Sequence, residues 1–127
     1  MTKAPGHRDH PRHKVAEQPL TDRITVSIAG ETIADSSDVI KVEEDGHPAR
    51  YYFPRTHVEM NRLQPSATTS QCPFKGVASY FTVKAGGKEL KDAIWSYENP
   101  YEEHLALKGR LAFYDERLPE INISPRP

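Results

Sequence analysis

From Arg23 onward the chain alternates apolar and polar side chains with a period of two. Ile24, Val26 and Ile28 share one face and Thr25, Ser27 and Ala29 the other, the pattern of a strand buried on one side. Gly30-Glu31 supplies a tight turn, and Thr32-Ile33-Ala34-Asp35 returns from it. Ser36-Ser37-Asp38 interrupts the pattern before Val39 to Glu43 resumes it. Asp45-Gly46-His47-Pro48 predicts a turn, because Gly tolerates positive φ and Pro ends strand pairing. The runs on either side of it, Val39 to Glu43 and Ala49 to Phe53, therefore read as a β-hairpin stopped by Pro54.

Arg55 to Leu63 keeps no sustained period, and Gln64 to Gly76, interrupted by Pro65 and Pro73, reads as loop. Val77 to Lys84 is rich in β-branched and aromatic residues, and Gly86-Gly87 turns it into a second hairpin with Lys88 to Tyr97. One helix signal follows. Asn99 can cap, Pro100 suits the first helical position, Glu102 and Glu103 face the positive end, and Lys108 and Gly109 close it, with Leu105 as the inward residue. Leu111 to Tyr114 and Glu120 to Ile123 read as short strands. The predicted fold class is mostly β: a single compact antiparallel β sandwich or small barrel-like domain with one short helix near residues 100–108.

Residues 1–20 differ from the rest. They hold Pro5, Pro11 and Pro19, His7, His10 and His13, and Lys3, Arg8, Arg12 and Lys14, with few large apolar side chains. Such a segment offers little surface to offset the entropy of ordering and reads as a flexible tail. The domain is then expected over 21–124, with 125–127 as its C-terminal end. The chain of 127 residues has a net charge of −1, which gives no electrostatic footprint for nucleic acid or an anionic membrane. The single cysteine excludes an internal disulfide and a multi-cysteine zinc site, and suits a reducing compartment. No apolar run approaches the ~18 residues of a membrane span, and residues 1–20 lack the apolar centre of a secretory signal, which points to the cytoplasm.

The blocks Gly30 to Ser36, Gly46-His47-Pro48 with Tyr51-Tyr52-Phe53-Pro54, Cys72 to Tyr80, Ala93 to Tyr97 with Pro100, and Ala112-Phe113-Tyr114 occur in order over Val26 to Tyr114. In these blocks the chain resembles the bacterial family known as domain of unknown function 427. The resemblance implies a compact, mostly β single domain and no activity. A nucleotidyltransferase label travels with the family, but no Gly-Ser pair with spaced Asp residues and no phosphate-cradling loop opening a helix is present here.

The segment Thr68 to Tyr80 carries most of the candidate chemistry: Cys72, Pro73, Lys75 and Gly76 place a thiol and an amine on one constrained bend. An ammonium near a thiol favours the thiolate, and His47 or His57 are the bases available to it. Cys72 as a small apolar plug is the plainer reading. Trp95 and Tyr97 share a strand face, as do Tyr51 and Phe53, with Tyr52 opposite. So many phenols exceed what a small core can satisfy, which points to a lined pocket. The candidate ligand contacts are His47, Tyr52, Cys72, Lys75, Tyr80, Trp95 and Tyr97. His7, His10 and His13 lack preformed geometry for a metal, so no metal and no cofactor is expected.

Three readings stand. The first is a module binding a small polar or anionic ligand beside the Cys72–Gly76 loop. The second is an enzyme using Cys72 or a Tyr hydroxyl, with Lys75 stabilising charge. The third is a structural or dimerisation module, a possible homodimer, in which the aromatics form a protein interface and exposed strand edges pair.

Overall fold

A computed structural model describes residues 2–127 and contains a short helix, ten strands and three 3₁₀ turns. The strands are β1 (Val15–Leu20), β2 (Ile24–Ile28), β3 (Glu31–Ser36), β4 (Val39–Glu44), β5 (Arg50–Tyr52), β6 (Leu63–Cys72), β7 (Gly76–Ala85), β8 (Lys88–Tyr97), β9 (Ala112–Phe113) and β10 (Ile121–Ser124). They pair antiparallel in three sheets, in the orders β1-β4-β5, β10-β2-β3 and β6-β7-β8-β9. The fold is mostly β and antiparallel, as expected. Phe53 and Leu111 exchange two backbone hydrogen bonds of 2.8 Å, which join β5 to the segment entering β9. No helix among the described residues is long and apolar enough to cross a membrane.

Period-two alternation divides the buried residues between two cores. Val39, Tyr51, Phe53, Ile94 and Phe113 join Ile24, Val26, Ile28 and Ile33 in the larger one. Their immediate neighbours in the chain, Ile40, Tyr52, Trp95 and Ala112, turn the other way into a smaller cluster with Val42, Ala78, Tyr97 and Leu107. Register makes this second face continuous, because Ile40 lies opposite Tyr52, Ala112 opposite Trp95, and Tyr97 opposite Ala78. Strands buried on both faces explain why the aromatics come in adjacent pairs.

Three sequence expectations are corrected. Residues 64–72 are the greater part of β6, paired with β7 on either side of an irregularity between Pro65 and Thr69, and were not legible as a strand because this is an edge largely exposed on both faces. Pro65 is tolerated there, since an edge strand leaves half its N–H groups unpaired. The helix near 100–108 is a 3₁₀ segment, Glu102–Leu107, without a side-chain cap, and its buried residues are His104 and Leu107 while Leu105 is exposed.

Of the expected tail, residues 2–20 are ordered in the described structure, and residue 1 lies outside it. Helix α1 (Pro5–Asp9) is followed by β1, whose six residues all pair with β4. Backbone pairing, not apolar bulk, orders β1, and Leu20 anchors its end in the larger core. Leu20→Ala is accordingly expected to cost about 2 kcal/mol, read as a lower urea midpoint at unchanged slope. Parental stability in that variant would mean that β1 is undocked.

Candidate functional site

The cavity lies on the second sheet face, with a volume of about 360 Å³. Each wall follows from the alternation already described. On β8, Trp95 and Tyr97 point to it; on β5, Arg50 and Tyr52 do; Tyr80 reaches it from β7 opposite Trp95. Ser70, Gln71 and Cys72 end β6 there, and Pro73, Phe74 and Lys75 close the rim. Glu44 contributes from the end of β4, His47 from the β4–β5 turn, Tyr114 from beyond β9, and His13 from just before β1. Gly76 holds the bend against the following segment: its φ is +120°, and a Cβ would meet the Asn99 carbonyl oxygen at 3.3 Å. A side chain there is disfavoured by conformation as well as by space.

All seven sequence-derived candidates, His47, Tyr52, Cys72, Lys75, Tyr80, Trp95 and Tyr97, therefore line one cavity. His57, the second base proposed for Cys72, does not: its Nδ1 lies 2.7 Å from Ser36 Oγ in a separate surface depression. Cys72 is half-buried at the wall, not a fully buried plug.

Lys75 is 5% exposed and forms an ion pair with Glu44, whose other oxygen lies 2.9 Å from His13 Nε2 and 3.7 Å from His47 Nε2. Burial alone would raise the Glu44 carboxyl, but the hydrogen bonds from Lys75 and His13 outweigh it and hold the group below its ordinary value. Arg50 pairs with Glu116, and its guanidinium carbon stands 5.3 Å from the Trp95 ring centre and 5.7 Å from that of Tyr114. Two cations thus meet the cavity, each held by one carboxylate and each with N–H donors left over.

The phenols differ in what they already bind. Tyr80 OH lies 2.8 Å from Ser70 Oγ and 3.4 Å from Tyr114 OH. Tyr52 OH accepts from Trp95 Nε1 at 3.2 Å and has no acceptor for its own proton among the described residues. Tyr97 OH has no protein hydrogen-bond partner among them. Burial raises both Tyr52 and Tyr97 above the ordinary phenol value, so both stay protonated donors at neutral pH. Tyr114 is pushed up to about 12 by burial and by Tyr80.

Glu44, Arg50, His13 and Tyr114 were missed from sequence. Counting by twos along the strands reaches Glu44 from Val42 and Arg50 from Tyr52, so those two were within reach of the pattern. His13 was hidden by the reading of residues 1–20 as tail.

The family model described as a domain of unknown function (DUF427) matches residues 16–123 of this chain. Among curated proteins, no match was found.

Proposed function

The chain belongs to the DUF427 family, and from the chemistry of its cavity we propose that it is a binding module for a small, acceptor-rich polar or anionic ligand. The reading rests on one observation: donors without a protein acceptor gather at one wall of the cavity. Tyr52 and Tyr97 offer O–H groups with no protein acceptor among the described residues, and Lys75 and Arg50 add unused N–H groups at the same wall. The carboxylate facing it, Glu44, is already engaged by Lys75 and His13. A bound carboxylate or phosphate would complete these donors, and the ring faces of Trp95 and Tyr114 would bury its apolar part.

Catalysis by Cys72 draws less support, because no base is hydrogen-bonded to its sulfur among the described residues. Tyr97→Phe separates binding from folding. Removing a hydroxyl that bonds nothing in the protein should change stability by less than about 0.5 kcal/mol. It should weaken binding about tenfold, the worth of one donor to an anion. Thermal-shift screening of phosphate, citrate, nucleotides and amino acids against parent and variant reads both effects. Absence of any stabilising compound, or equal binding by the two proteins, would overturn the reading.

A further inference from the structure

The histidines of residues 1–20 gather around the loop that closes the cavity. The Gly6 N–H donates to the Pro73 carbonyl at 2.8 Å, so close that a Cβ on Gly6 would stand 2.8 Å from the Phe74 ring. His7 meets Phe74 edge-on at 5.0 Å and His13 stacks on it at 4.3 Å. Ala4 is buried, its N–H donating to Glu103 Oε1 at 2.9 Å, and Thr2 accepts from the Glu102 N–H. Residues 2–10 thus form a strap across Pro73 and Phe74, which are themselves cavity wall.

The strap is fastened by a proton-counting contact. His7 Nε2 lies 2.8 Å from Nε2 of His104, which is 3% exposed, and His104 Nδ1 lies 2.6 Å from Glu17 Oε2. Glu17 fixes a proton on His104 Nδ1, so the two facing Nε2 atoms share a single proton. One donates and the other accepts. A second proton would put two N–H groups, and two positive charges, at hydrogen-bond distance with no acceptor between them.

We propose that residues 2–10 are a proton-operated gate acting on the cavity through its Pro73–Phe74 wall, closed while the facing Nε2 atoms of His7 and His104 share one proton and released when that contact takes up a second. The inference deepens the binding reading by naming how access to that same site is regulated, and it rests on that reading for its purpose.

The surrounding charges set the direction. Around His7 stand His104, Glu103, His13 and Lys75, while Glu17 faces His104 from β1. Burial, then His104, lowers the His7 imidazole below its ordinary value, and Glu103 opposes this only in part. A ring held neutral in the closed form favours closure above the ordinary imidazole value. That preference is lost as pH falls below it. His13 stays on Glu44 at 2.9 Å and β1 pairs with β4 through all six of its residues, so β1 and the segment entering it stay in place. The turn at Pro11 and Arg12 is then the hinge.

Hydrogen exchange of the full chain tests this without any ligand, at about pH 7.5 and about pH 5.5, after correction for intrinsic rates. Amides of residues 6–10 should lose protection about tenfold at the lower pH, while those of β1 keep theirs. Trp95, the only tryptophan, should become more accessible to acrylamide, a neutral quencher, over the same interval. His7→Gln should stay closed at both values, since an amide can donate to or accept from His104 without titrating. His7→Ala should be open at both. Equal protection of the parent at the two pH values, or a parent-like loss in His7→Gln, would overturn the gate. Should His7→Gln fail to close at either pH, the parent and His7→Ala still decide the matter. These readouts need no bound compound, so failure of the gate and failure of the ligand reading are separate results.

Discussion

Trp95→Ala should destabilise the protein by about 3–5 kcal/mol, a large share of the 5–15 kcal/mol typical of a domain. Trp95 is 5% exposed and is the piece around which the second core is arranged. Its ring lies 4.3 Å from that of Tyr114 and meets Tyr52 edge-on at 6.2 Å, and the Arg50 guanidinium packs against it. Truncation removes the largest side chain of the cluster and the donor to Tyr52 OH together. The space left behind joins a cavity that can already admit water, so the void is hydrated and the loss should fall near the lower end of the range. Trp95→Phe separates the contributions, keeping ring packing while deleting the N–H, and should cost about 1 kcal/mol for the lost bond. Urea unfolding with unchanged slope is the measurement. A loss below about 1 kcal/mol in Trp95→Ala would show that the cluster holds together without the indole.

The parts of this fold that sequence discloses are those where one residue type answers one geometric demand. Gly86-Gly87 takes positive φ at both positions, 55° and 75°, so the β7–β8 hairpin was legible from two letters. The adjacent pairs Tyr51-Tyr52 and Ile94-Trp95 disclosed strands with something apolar on either side. Elements held by pairing rather than burial left no such mark. β6 is polar on both faces, and β1 contributes chiefly a hydrogen-bond ladder to β4. The contacts of the gate were beyond sequence for a different reason. His7 and His104 are separated by 97 positions, and nothing local to either announces the other. Trp95 and Tyr97 could be put on one face from strand parity, whereas His47, Cys72 and Lys75 were read from the turn and loop residues around them. The partners of the site's charges were not legible, since ion pairing depends on which strands meet.

That distinction matters most for Lys75, from sequence a candidate ligand contact and in the structure also the buried half of an ion pair. Lys75→Met keeps the apolar stem and removes the charge, stranding Glu44, whose side chain is only 12% exposed. Breaking a buried pair from one side costs about 3–5 kcal/mol, because the remaining charge loses its compensation. The loss should sit toward the lower limit here, as His13 still bonds the other carboxylate oxygen. Adding Glu44→Gln to Lys75→Met should recover most of it, which a double-mutant cycle would report as coupling. Acidification supplies an independent signature. In the parent, Glu44 is held below its ordinary value, so its contribution is complete above that value and declines as pH falls through the lowered one. Without Lys75, burial dominates and moves the Glu44 carboxyl upward, so the variant sheds its unfavourable charge at a higher pH than the parent loses its favourable one. The stability gap between the two proteins should therefore narrow steadily from neutral pH toward the carboxylate range. A gap that stayed constant over that interval would mean that Lys75 supports the fold by packing alone, with no contribution from its charge on Glu44.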